Sequence, residues 1–183
     1  MKTLLHIFLI ISLTSFRSTN KHFTNGTFFN SISSPPIDIK LIKHLPNVVT
    51  TSGVLPTKES INLCRPNSKG FFGHYFLVHQ QSGAKDPIFG ELIVYVTGTA
   101  DKWKYDNNDE TFAKLTLTSS RVKLWDKINI GTSEKDLLNF IGKNFHYKKG
   151  TIIFAEINEY SLQCTVLADT INKLTVGKFC MTK

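Results

Sequence analysis

Acidic residues, cysteines and long apolar runs are all scarce in this chain, and each shortage narrows what it can be. The 183 residues include 14 Asp and Glu against 22 Lys and Arg, a formal net charge of +8. A basic balance brings nucleic acid, anionic lipid or an acidic protein into view as partners. The lysines, however, form no dense run: Lys40 and Lys43, Lys102 and Lys104, Lys123 and Lys127, and Lys148 and Lys149 are dispersed among apolar or acidic neighbours. That is the pattern of solvated faces, so no nucleic-acid partner is expected. Beyond residue 17 no stretch of 18 apolar residues occurs, so no stable membrane span is expected in the mature protein. Only three cysteines are present and none precedes Cys64, which excludes a lipid-bearing cysteine next to an N-terminal leader. A chain of this length buries roughly 70% of its unfolded surface, so it needs neither metal nor disulfide to hold a core.

The motifs of common chemistries are missing as well. There is no Gly-x-Ser-x-Gly elbow, and no glycine-rich loop leads into a Lys-Ser/Thr pair that would cradle phosphate. His74 and His79 stand five apart on an expected strand, which puts them on opposite faces, while His22, His44 and His146 are isolated. The acidic stretch Asp106-Asn107-Asn108-Asp109-Glu110 lacks the glycine and distal glutamate of a calcium loop and reads as a polar hairpin tip. No catalytic residue, metal or cofactor is therefore assigned. One nucleophile has candidate bases nearby in sequence, Cys64 with His74 and His79, and it defines an alternative reading as a small secreted hydrolase. Glu91 with Asp101 is a further carboxylate candidate for that reading.

What is present begins with a leader. Lys2, the apolar run from Leu4 to Ile11 and the small polar Ser12, Thr14 and Ser15 have the order of a cleavable secretory signal, expected over 1–17. Losing Lys2 and Arg17 with it lowers the net charge from +8 to +6. Residues 18–36, rich in Ser, Thr and Asn and closing on Ser33-Ser34-Pro35-Pro36, read as a poorly ordered lead-in to one domain over 37–183. Within it, Ile37, Ile39 and Leu41 alternate with polar residues and predict a strand, and 48–66 reads as loop with at most one short strand. Strands are predicted over 75–79, 91–97, 112–118, 151–157, 161–167 and 173–179. The local signals are sharpest around one helix at 133–141. Ser133 caps it, Glu134 and Asp136 favour its positive end, Leu137, Leu138 and Ile141 form its apolar stripe, and Gly142 ends it. The expected fold is α+β: a mostly antiparallel sheet of about six or seven strands with one short, well-capped helix packed on it.

The run Ile128-Asn-Ile-Gly-Thr-Ser-Glu-Lys-Asp-Leu-Leu-Asn-Phe-Ile-Gly142, followed by strands to residue 179, resembles the repeating unit of the SmpA/OmlA-like and beta-lactamase-inhibitor-like envelope domains. The resemblance covers roughly a third of the chain and implies a protein-binding or inhibitory role outside the cytoplasm, without catalysis. No clear second copy of the unit is legible in the first half.

Export to an oxidising compartment favours one disulfide and one leftover thiol. Cys164 and Cys180 are the preferred pair, because each shares strand parity with apolar neighbours; buried free thiols satisfy the same count. Phe71, Phe72, Trp103 and Tyr105 are the aromatic residues that suggest a contact surface, against the reading that they complete the core. The expected function is thus an exported, non-enzymatic binding domain of the periplasm, cell surface or extracellular space, of inhibitor or immunity type, whose partner is another envelope or extracellular protein. A structural or adhesive surface role shares the same fold.

Overall fold

The computed structural model describes residues 35–45, 48–54, 62–66, 69–79, 88–98, 110–143, 145–148 and 151–180. The expected signal segment and most of the lead-in lie outside them. Pro36, assigned to that lead-in, is buried, and its carbonyl accepts from the Trp125 N–H at 2.8 Å, so it belongs to the domain.

Two short helices, α1 (Ile39–Lys43) and α2 (Glu134–Ile141), accompany eight strands. These are β1 (Val48–Val54), β2 (Gly70–His79), β3 (Ile88–Thr97), β4 (Glu110–Leu117), β5 (Phe145–Lys148), β6 (Ile152–Ile157), β7 (Tyr160–Leu167) and β8 (Thr170–Gly177). They form one sheet in the order β1-β2-β3-β4-β8-β7-β6-β5, antiparallel throughout. The sheet-dominated expectation holds, with eight strands and two helices among the described residues where six or seven strands and one helix were expected. Each half of the chain reads as a helix followed by a four-stranded meander, so the unit legible after residue 128 has a counterpart of the same element order before it. The halves meet at β4 and β8, where Leu115 pairs with Val176 and Thr116 with Thr175.

Helix α2 forms where its caps predicted. Ser133 Oγ accepts from the Asp136 N–H at 3.1 Å, and Gly142 stops the helix at φ 66°. Helix α1 replaces the strand expected at Ile37, Ile39 and Leu41. Asp38 accepts from the Lys40 N–H at 2.8 Å as an N-cap, and the chain coils so that Ile42 is wholly buried while Leu41 is 60% exposed. A side-chain carboxylate reaching its own backbone two residues on outcompetes the weak alternation.

One face of the sheet carries the main core. Leu77, Leu92, Val94, Leu115, Leu117, Leu174, Val176, Leu162 and Ile153 point into it, and α1, the connection 119–130 and α2 cover it through Ile42, Leu124, Ile128, Leu137 and Ile141. A smaller core of Phe72, Ile93, Tyr95 and Ala113 forms on the other face, joined from outside the sheet by Leu63.

Candidate functional site

Strict alternation sends every second side chain of the strands to the side away from the helices. There the pairing aligns a row across seven strands: Phe76, Glu91, Thr116, Thr175, Gln163, Phe154 and His146. None of these is buried, and Thr116 and Thr175 place their hydroxyls 3.3 Å apart at the joint between the halves. His146 stacks on Phe154 at 5.2 Å with ring planes 8° apart, and on the other flank His74 lies 4.3 Å from Phe76. The next row holds His74, Ile93, Lys114, Gly177, Ser161 and Glu156. His74 Nε2 is buried without a hydrogen-bond partner among the described residues, 3.9 Å from Glu91 Oε2. Aromatic flanks around a hydroxyl and amide centre make a broad surface able to contact another protein through both apolar area and hydrogen bonds.

The surface is bounded at one end by residues 62–65. Leu63 bridges to Phe179, the Cys64 N–H donates to the Lys178 carbonyl at 3.0 Å, and the Cys180 N–H donates to the Asn62 carbonyl at 3.2 Å. The disulfide joins Cys64 to Cys180, with their Cα atoms 4.8 Å apart. This corrects the expected Cys164–Cys180 pair. Cys164 is a free thiol inside the main core, and burial pushes it up to about 12, where it behaves as a small apolar residue. Cys180 lies past the end of β8, so the strand parity used to place it does not apply. Because Cys64 is disulfide-bonded, the secreted-hydrolase reading lacks the thiolate it requires; of the Glu91–Asp101 pair, Asp101 lies outside the described residues.

The aromatic residues singled out from the sequence divide. Phe72 is 3% exposed, set edge-to-face with Tyr95 at 5.1 Å and capped by the Arg65 guanidinium at 5.7 Å. Phe71 packs against the main core. Phe72 thus belongs to the smaller core, and the half-buried Phe71 flanks the main one. Trp103 and Tyr105 lie outside the described residues. Alternation alone could have found the open row, since Phe76, Thr116, Gln163, Phe154 and Thr175 each sit directly between two buried neighbours.

Two Lys–Glu–Tyr groups lie on the helix-bearing side. Lys43 Nζ is 2.5 Å and 2.7 Å from the two Glu110 oxygens, donates to the Tyr75 hydroxyl at 2.8 Å and sits 4.0 Å from the Tyr75 ring centroid; Tyr75 in turn donates to Glu110. The Glu110 side chain is fully buried and that of Lys43 is 8% exposed. In the second half Lys178 pairs with Glu159 at 2.5 Å and lies 5.1 Å from the Tyr160 ring. Between them opens a cavity of about 550 Å3 walled by Ile37, Ile39, Phe112 and Tyr160. Among the described residues no group of three or more His, Cys, Asp or Glu is placed to hold a metal, and no helix is long and apolar enough to cross a membrane.

Burial first, then the Glu159 carboxylate, raises the Tyr160 phenol to about 12, and burial with the Glu134 hydrogen bond does the same for Tyr147. An unfolded tyrosine ionises near 10, so this contribution to stability is complete below about pH 10 and is lost as pH rises through about 12. Chemical denaturation across that range is expected to show a decline that Tyr160→Phe makes shallower; an equal slope in both proteins would remove Tyr160 as its source.

Compared with protein-family models, with curated proteins and with solved structures, the chain matches none.

Proposed function

We propose that this is an exported, non-enzymatic binding domain that docks another envelope or extracellular protein on its open sheet face, in the manner of an inhibitor or immunity protein. The observation that carries the reading is the row from Phe76 to His146, a seven-strand surface of aromatic, hydroxyl and amide side chains with one carboxylate, Glu91, opposite the face that carries the helices. The disulfide fits an oxidising compartment. The resemblance of residues 128–179 to envelope inhibitor-like domains points the same way. The formal charge, +8 for the chain and +6 without the leader, favours a partner with an acidic surface, which speeds encounter more than it tightens the complex.

Thr175 sits at the centre of that row, half-buried and hydrogen-bonded to Thr116, so an arginine there would stand out from the surface without entering the core. With the domain from residue 18 onward as bait against envelope extract, the wild type is expected to retain one stoichiometric partner at moderate salt, and Thr175→Arg to lower retention by about tenfold or more. Equal retention by both proteins would place the contact elsewhere. Retention of nothing by a bait shown to be folded would remove the binding reading itself.

A further inference from the structure

The smaller core lies on the same side of the sheet as the open row, and the segment 62–66 shelters it from outside the sheet, with Arg65 over the Phe72 ring. Leu63, 6% exposed, closes over Phe72, Ile93, Tyr95 and Ala113. Two backbone hydrogen bonds and one covalent bond hold that segment down: Cys64 N–H to the Lys178 carbonyl, Cys180 N–H to the Asn62 carbonyl, and the Cys64–Cys180 disulfide. The seat is shaped for it. A Cβ on Gly177 would come 2.9 Å from the Phe179 ring and 3.0 Å from the Ala113 carbonyl, so bare backbone is what lets Phe179 lie beside Leu63. The clasp is also reachable: Cys180 is exposed and Cys64 half-buried, in contrast to the fully enclosed Cys164.

We propose that the Cys64–Cys180 bond is a thiol-sensitive clasp whose reduction lifts the Leu63 segment and uncovers the Phe72–Ile93–Tyr95 patch on the open face. The reductant is a small thiol of the glutathione class or a protein dithiol. Its thiolate attacks the exposed Cys180 sulfur, forming a mixed disulfide and expelling the Cys64 thiolate, which takes up a proton. A second reductant thiolate then attacks the mixed disulfide at the reductant's sulfur and releases Cys180. Two electrons and two protons pass to the protein, both cysteines become thiols, and the reductant leaves as its own disulfide. With the covalent bond gone, two backbone hydrogen bonds, each worth only about 1 kcal/mol net, remain with the packing of Leu63 and the Arg65–Phe72 contact to hold a segment of five described residues. The strand pairing of the sheet does not run through the clasp, so the sheet can stay folded at reduced stability when the bond is lost. The clasp is independent of whether the open face docks a partner, and its consequence for docking would be a larger apolar area on that face.

The test compares NMR spectra of the oxidised chain, the chain reduced with dithiothreitol, and Cys64→Ala/Cys180→Ala. The oxidised protein is expected to show contacts from the Leu63 methyls to the Phe72 and Tyr95 rings. In both thiol-reduced and double-variant samples these contacts should vanish and the Leu63 methyls should move to random-coil positions, while the amides of β6 to β8 keep their dispersion. Leu63→Asp in the oxidised protein should reproduce the exposure, read as a several-fold rise in binding of an apolar fluorescent dye. Retention of the Leu63 contacts after reduction would overturn the proposal. So would collapse of the whole spectrum, because the bond would then hold the fold and not a clasp.

Discussion

Replacing Lys43 by methionine is expected to destabilise the protein by about 3–5 kcal/mol, the usual cost of leaving one member of a buried ion pair behind. The Glu110 carboxylate is fully buried, and Lys43 supplies two of its three described hydrogen bonds. Without the ammonium, the Tyr75 hydroxyl is the only hydrogen-bond partner left to the buried carboxylate among the described residues. Removing both charges should behave differently. Lys43→Met with Glu110→Met leaves apolar side chains of similar volume beside the Tyr75 ring, and such replacements are often neutral or stabilising by about 1–4 kcal/mol relative to the original pair. Tyr75→Phe should fall between, at about 1–3 kcal/mol, because it removes the hydroxyl that accepts from Lys43 and donates to Glu110 but leaves the ion pair itself in place. Urea denaturation of the three variants gives the comparison. A cost below about 1 kcal/mol for Lys43→Met would show the pair to be as weak as an exposed one.

Loss of the Cys64–Cys180 bond should cost the fold about 2–5 kcal/mol, chiefly through the unfolded chain. The cysteines are 116 residues apart, so the cross-link closes a loop that spans β2 to β8. Chain-entropy reasoning for a loop of that size gives close to 5 kcal/mol as an upper figure, roughly the value for a hundred-residue loop. Reduction or Cys64→Ser/Cys180→Ser should therefore lower the urea midpoint and raise the slope, since the uncrosslinked chain exposes more surface. An unchanged midpoint would mean that the bond constrains only its own segment and leaves the denatured ensemble as it was.

These expectations rest on contacts that differ in how far they could be read in advance. Ser133, Glu134, Asp136, Leu137, Ile141 and Gly142 specify α2 within ten residues of chain, because capping and apolar spacing act locally, and the helix appears with Ser133 as its cap. The alternating stretches from β2 to β4 and from β6 to β8 were legible for the same reason: each needs only a half-buried surface to pair against. The stretch 37–41 misled, since five residues with three apolar ones fit a strand as well as a short helix. What decides it is the placement of Ile42 under the sheet, together with the Asp38 cap. Strand β5, with three of its four residues exposed, carries almost no burial signal and exists because β6 offers it an edge.

The candidate surface shows the same division. Alternation in sequence determined which side chains of each strand share a face, because successive residues of an extended chain must point to opposite sides. It could not determine which face the helices would cover, which strands would be neighbours, or that Thr116 of one meander would meet Thr175 of the other. Nor could it pair Cys64 with Cys180, since that choice depends on residues 62–64 running antiparallel to 178–180 across 116 positions of chain. Local pattern thus set the elements and the polarity of their faces. The pairing of distant strands, which no short-range preference encodes, decided what those faces became.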